Sequence, residues 1–172
     1  MTPLVLTVIG DDRSGLVKAI ASAVTERGGN WERSEMAELA GKFAGIVLVT
    51  IPDDQVESFT AAMEPLHGLL DVTVQRARTG DDTDAVVRWT LELLGADRPG
   101  IVTEISTVLE RHGVNIDALA TSTREAPMAG EMLFEATATL ETTPATDLDA
   151  LRHDLEGLAN ELMVDIDLDA ST

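Results

Sequence analysis

The segment Gly10-Asp11-Asp12-Arg13-Ser14-Gly15-Leu16-Val17 returns as Gly95-Ala96-Asp97-Arg98-Pro99-Gly100-Ile101-Val102, an offset of 85 residues. The same offset carries Leu6 to Leu91, Ile20 to Ile105, Gly28 to Gly113 and Asn30 to Asn115. Where residues change, their character is kept: Val8 becomes Leu93, Val24 becomes Leu109 and Glu32 becomes Asp117. A repeat of this length is too long for a solenoid turn and fits a small domain. The chain of 172 residues is therefore one structural unit written twice.

Each copy shows the same succession of patterns. Leu4 to Ile9 is a short, β-branched apolar run, a buried strand. Gly15 opens a helix with Leu16, Val17, Ile20, Ala23 and Val24 at helical spacing, and Gly28-Gly29 stops it. Asn30 to Met36 and Phe43 to Ile51 predict two strands around a Gly41-Lys42 turn. Pro52-Asp53-Asp54 signals a helix start, with Val56, Phe59, Met63 and Leu66 facing inward. Leu70, Val72 and Val74 predict a fourth strand. In the second copy, Val87 to Leu93, Ile101 to His112, Asn115 to Thr123, Met132 to Leu140, Leu148 to Leu162 and Val164 to Leu168 repeat the order. Arg124 to Gly130 reads as a mobile flap. The fold class is α+β: two ferredoxin-like βαββαβ domains, antiparallel sheets with helices on one face. The domains span 1–79 and 85–172, with 80–84 as linker.

The net charge of −19 opposes direct binding to nucleic acid or an anionic membrane and suits a basic protein partner or a cationic ligand group. Without cysteine there is no disulfide, thiolate metal site or thiol nucleophile. No signal peptide or membrane-length apolar run is legible, so a cytoplasmic location is expected. With aromatics at 3%, the core must be aliphatic.

The repeated loop has the Gly-x-x-x-x-Gly spacing of a phosphate loop. Leu16-Val17 and Ile101-Val102 stand where such a loop needs Lys and Ser/Thr, and Asp11 and Asp12 would repel a polyphosphate. A single carboxylate suits the place better. The first N–H groups of a helix lack internal partners and sit at the positive end of its dipole, and a glycine lets a ligand approach them. Asp12 or Asp97 offers an acceptor to a positive group, and Asn30 or Asn115 offers both donor and acceptor. Together these describe an α-amino acid site. Two readings stand side by side: Asp12 and Asp97 cap their helices and Asn30 and Asn115 take a left-handed turn, or all four bind ligand.

Strand, then Asp97-Arg98-Pro99-Gly100-Ile101-Val102, then helix, then His112-Gly113-Val114-Asn115-Ile116 resembles the ACT domain. Residues 90 to 123 carry the pattern best; residues 5 to 37 carry it with Ser14 in place of the proline. The tandem arrangement is similar to the glycine cleavage system transcriptional repressor family. The resemblance implies a regulatory module that binds an amino acid between adjacent copies of the fold. It implies ligand contacts from Asp12 and Asp97, from the backbone of Gly15-Leu16 and Gly100-Ile101, and from Asn30 and Asn115 of the neighbouring copy. Many family members carry Asn where this chain has Asp12 and Asp97. The resemblance also implies edge-to-edge sheet pairing, which hides an open strand edge.

The remaining candidates carry less. His67, His112 and His153 lack metal-ligand spacing, and Ser14, Ser22 and Ser34 lack the surroundings of an activated nucleophile. Arg13 and Arg98 read as ion-pairing residues or a ligand carboxylate clamp, and Trp31 and Trp89 as core or interface anchors. The expectation is a non-enzymatic sensor of a small amino acid, glycine or serine first. It would act without cofactor or metal through a protein partner, with a homodimer possible. The rival readings are a regulatory subunit of an amino-acid biosynthetic enzyme, an enzyme in its own right, and an oligomerisation module.

Overall fold

The computed structural model describes residues 1–66, 68–77, 86–126 and 130–170. The chain divides into two compact units, Met1–Gly80 and Asp81–Thr172. The first contains β1 (Thr2–Asp11), α1 (Leu16–Thr25), β2 (Asn30–Leu39), β3 (Lys42–Ile51), α2 (Val56–Met63) and β4 (Asp71–Arg76). The second contains β5 (Val87–Ala96), α3 (Ile101–Arg111), β6 (Asn115–Glu125), β7 (Met132–Thr142), α4 (Leu148–Leu162) and β8 (Val164–Ala170). Both are α+β units of the βαββαβ order. The expected linker, residues 80–84, lies outside the described residues.

Each unit has one four-stranded antiparallel sheet, ordered β2-β3-β1-β4 in the first and β6-β7-β5-β8 in the second. β2 and β6 are therefore edges. The period-two pattern sends alternate side chains to the helix-covered face. In the first unit Leu4, Leu6, Val8, Val47, Val49 and Ile51 meet Ile20, Val24, Phe59 and Met63. In the second, Leu91, Leu93, Ala136, Ala138 and Leu140 meet Ile105, Leu109, Leu151 and Leu155. Both cores are aliphatic apart from Phe59 and Phe134. Trp31 and Trp89 lie partly buried against their respective cores; the Trp89 indole donates to Thr142 Oγ1 at 3.1 Å and carries Arg152 over its ring at 5.6 Å.

The uncovered sheet faces differ. In the first unit Val5 pairs with Leu48, Thr7 with Ile46 and Ile9 with Ala44, an apolar surface on which Ile46 is 57% exposed. In the second, Glu92 stands directly opposite Asp167, Leu94 opposite Asp165 and Thr90 opposite Asp169. β6 continues to Glu125, so the expected flap begins later than Arg124; its residues 127–129 lie outside the described residues.

Candidate ligand-binding site

The two repeated glycines of each loop serve different ends. A Cβ at Gly10 would overlap the carbonyl oxygen of Leu69, and one at Gly95 would overlap Val164. Gly10 lets the Leu69-Leu70 segment before β4, and Gly95 the start of β8, lie close to the first strand of its unit. Gly15 and Gly100 have φ of 95° and 98°, left-handed values that disfavour a side chain, and each is the N-cap of its helix. Neither helix start receives a side-chain cap. The capping reading of Asp12 and Asp97 is thus corrected. Their main-chain N–H groups instead donate to Gly41 O at 2.9 Å and Met132 O at 2.8 Å, tying the first loop to the turn between β2 and β3 and the second to the start of β7. Leu16 and Ile101 are buried, so these residues can offer a ligand only main-chain groups.

The asparagines stand elsewhere. The left-handed turns belong to Gly28 and Gly113, and Asn30 and Asn115 have ordinary backbone angles at the first positions of β2 and β6. Asn30 pairs with Thr50 and Thr50 with Pro3, at the far end of β1 from Asp12. Pro3 and Asp12 are nine residue steps apart along β1 and its end, roughly 25–30 Å. Asn115 is set apart from Asp97 in the same way through Glu141 and Arg88. Within one unit, helix mouth and asparagine do not converge.

Hydrogen bonding distinguishes the two asparagines. A β-bulge between Trp31 and Arg33 places Glu32 where its Oε1 accepts from Asn30 Nδ2 at 3.0 Å and from Thr50 Oγ1 at 2.8 Å. The Asn30 hydrogen bond, then that of Thr50, hold the Glu32 carboxyl below its ordinary pKa. A bulge recurs between Ile116 and Ala118, but Asp117 is one methylene shorter and the residue opposite Asn115 is Glu141, whose carboxylate takes Arg88 at 2.7 Å. The Asn115 side chain has no hydrogen-bond partner among the described residues. It lies in a shallow concavity with Ser106, Glu110, Gly113, Val114 and Ile116.

The helix mouths differ too. The first turn of α1 has no acidic residue and includes Lys18; among the described residues Arg13 makes a long contact to Asp11 at 3.9 Å. Asp11 is held below its ordinary pKa by its hydrogen bond to Lys42. At α3, Glu104 stands in the first turn and pairs with Arg98 at 2.7 Å, with its other oxygen 3.4 Å from where a Gly100 Cβ would stand. Both arginines thus make local ion pairs. His112 caps the C-terminus of α3 and meets Asp154 Oδ2 on α4 at 3.0 Å. Among the described residues no cluster has the make-up of a metal site.

Residues 2–76 match one ACT-domain family description and residues 89–151 match another. The chain belongs to the ACT-domain family. It is 26% identical over 164 residues to the glycine cleavage system transcriptional repressor of Escherichia coli K12, covering 92% of this chain and 85% of that one. A structure described as an unknown protein from Galdieria sulphuraria matches the tandem ACT fold with a TM-score of 0.88 and 31% identity, over 99% of both chains. A putative glycine cleavage system transcriptional repressor shares the fold at a TM-score of 0.68 and 18% identity, covering 99% of this chain and 98% of that one. No described helix of the ACT chain is long and apolar enough to cross a membrane.

Proposed function

We propose that this chain is a non-enzymatic amino-acid sensor that binds a small amino acid between adjacent copies of the ACT fold and signals through a protein partner. Glycine or serine is the first candidate, because the named curated relative is a regulator of glycine cleavage. The observation that carries the reading is the uncapped helix mouth, present twice and fronted by a left-handed glycine. Such a mouth offers main-chain N–H groups and the positive dipole end to a carboxylate.

Antiparallel pairing of two open edge strands, β2 or β6, would bring the asparagine of one copy beside the hairpin turn of the next. In the first unit that turn is tied to the helix mouth through Asp12, and in the second the start of β7 is tied to it through Asp97. Asp12 or Asp97 would accept from the ligand ammonium, with Asn30 or Asn115 closing the site. Bound ligand would favour the paired arrangement by its differential affinity for it. The −19 charge suits a basic partner surface and disfavours direct contact with DNA, so a transcriptional role would run through that partner.

A thermal-shift screen of the common amino acids tests the reading. A ligand at about a hundredfold its Kd adds roughly 2.7 kcal/mol of stability. The combined variant Asp12→Ala, Asn30→Ala, Asp97→Ala, Asn115→Ala should melt close to the wild type and lose the ligand shift. A shift that survives all four substitutions places the ligand elsewhere.

A further inference from the structure

We infer that the uncovered face of the first sheet is a docking surface for a second copy of this chain, so that two first units close face to face into a sandwich. The inference goes beyond the amino-acid reading and does not depend on it.

The strand register lays out the face. Ile9, Ala44 and Ala37 form one row across β1, β3 and β2; Thr7 and Ile46 belong to the next row, and Val5 and Leu48 to the one after. Ile9 is 49% and Ile46 57% exposed, and Leu39 at the end of β2 is 79% exposed. Large apolar side chains on neighbouring strands thus stand exposed together, unlike the scattered single residues of an ordinary surface. The charges on this face nearly cancel. Asp11 pairs with Lys42 and Arg33 with Glu35, which leaves Asp71 at the β4 rim among the described residues.

Three properties select a second copy as the occupant. Charge is the first. A chain of net charge −19 repels its own copies, and the repulsion is least where the local charge is close to zero. A basic protein gains no ion pair from such a face. The uncovered face of the second sheet carries Glu92, Asp165, Asp167 and Asp169, whose carboxylates would lose their water against Val5 and Ile46 with nothing in exchange. Area is the second. Three long strands and the shorter β4, about 4.8 Å apart, cover roughly 500 Å² in projection, and the corrugated accessible surface is larger than its projection. That approaches the roughly 800 Å² each partner buries in a stable complex. Symmetry is the third. Thr7 and Ile46 pair near the middle of β1 and β3. A two-fold axis along that row stacks Val5 and Leu48 of one chain over Ile9 and Ala44 of the other, and two sheets of equal twist pack in this aligned way.

Sedimentation equilibrium of the full chain should show a monomer–dimer equilibrium that tightens as salt screens the net charge, whereas a complex held by ion pairs would loosen. Ile46→Asp should weaken dimerisation by about tenfold or more, because it buries an unpaired charge. Thr137→Asp, at the matching place on the second sheet, should leave dimerisation within about twofold. The chain has no cysteine, so Thr7→Cys provides a single thiol beside the axis, and a short bis-maleimide should join two chains through it. Glu92→Cys, its counterpart, should not be joined. The Thr7→Cys variant keeps every apolar side chain of the face and decides the matter if Ile46→Asp does not fold. A monomer at every concentration and salt overturns the inference: a slow thiol in the Thr7→Cys variant would then mean that the chain's own second unit covers the face, and a fast one that no copy does. A dimer that Ile46→Asp spares and that the Thr7→Cys variant fails to cross-link sits on another surface and overturns it equally.

Discussion

The two units agree on the faces turned toward their helices and disagree on the faces turned away. Inward, Leu4, Leu6 and Val8 of β1 correspond to Trp89, Leu91 and Leu93 of β5, a mostly aliphatic ladder in both. Outward, Val5, Ile9, Ile46 and Leu48 form an apolar patch on β1 and β3 of the first sheet, flanked by Asp71 and Gln75 on β4, whereas Glu92, Asp165, Asp167 and Asp169 make the second acidic. Of the acids on that face, Glu135 and Glu141 have arginine partners, Arg124 and Arg88. The other four have no hydrogen bond or ion pair among the described residues. Core packing punishes change by kilocalories, while an exposed face tolerates a new charge for tenths. Duplicated sequences therefore keep the inner pattern and diverge on the outer one.

The largest effect should test the shared half of this comparison. Leu6→Ala and Leu91→Ala remove fully buried side chains from matching places. Each should cost about 2–5 kcal/mol in denaturant unfolding. Hydrogen exchange should place the loss in the substituted unit, and a cost below one kilocalorie for either would break the equivalence.

A smaller effect sharpens the divergent half. Glu92→Gln relieves repulsion from the directly opposed Asp167 and should stabilise the second unit by about 0.2–1 kcal/mol at low salt, fading as salt is added. Thr7→Gln, at the matching place on the first sheet, should show no such salt dependence.

The smallest effect concerns the helix joint. Arg27, the counterpart of His112, donates from Nε to Ser58 O at 3.2 Å and from Nη1 to Ala23 O at 3.2 Å. In the second unit the joint runs through Asp154, whose carboxyl is held below its ordinary pKa first by the His112 hydrogen bond and then by Arg111. A depressed carboxylate contributes stability above its unfolded pKa and loses it as pH falls through the lower folded value. Asp154→Asn should therefore lower the second unit's Tm slightly at neutral pH, and the gap from wild type should close in the acid range. A gap constant with pH would remove the carboxylate from the joint.

Most of the architecture was legible in the sequence because it rests on patterns that sequence displays directly. The 85-residue offset announced two units, period-two runs marked the strands, and Gly28 and Gly113 marked helix ends. The individual jobs within the loop were harder to see. Gly10 and Gly95 look like members of one motif with Gly15 and Gly100, yet the first pair answers to the backbone at the entrance to the last strand, several tens of residues away. Asp12 and Asp97 look like caps, but the cap position falls on the glycine that follows. The engagement of Asn30 depends on a bulge that swings Glu32 toward Thr50. Only the alignment of Glu32 with Asp117 and of Thr50 with Glu141 across the sheet distinguishes the two asparagines, and that alignment requires the strand register.

The placement of the indoles has a practical consequence. The chain has no tyrosine and two tryptophans. Trp31 lies on an edge strand next to Asn30, and Trp89 is clamped between Thr142 and Arg152. Ultraviolet emission from this protein therefore comes from one lamp in each half. Replacing either indole with phenylalanine leaves a single-colour reporter for the half that keeps its own.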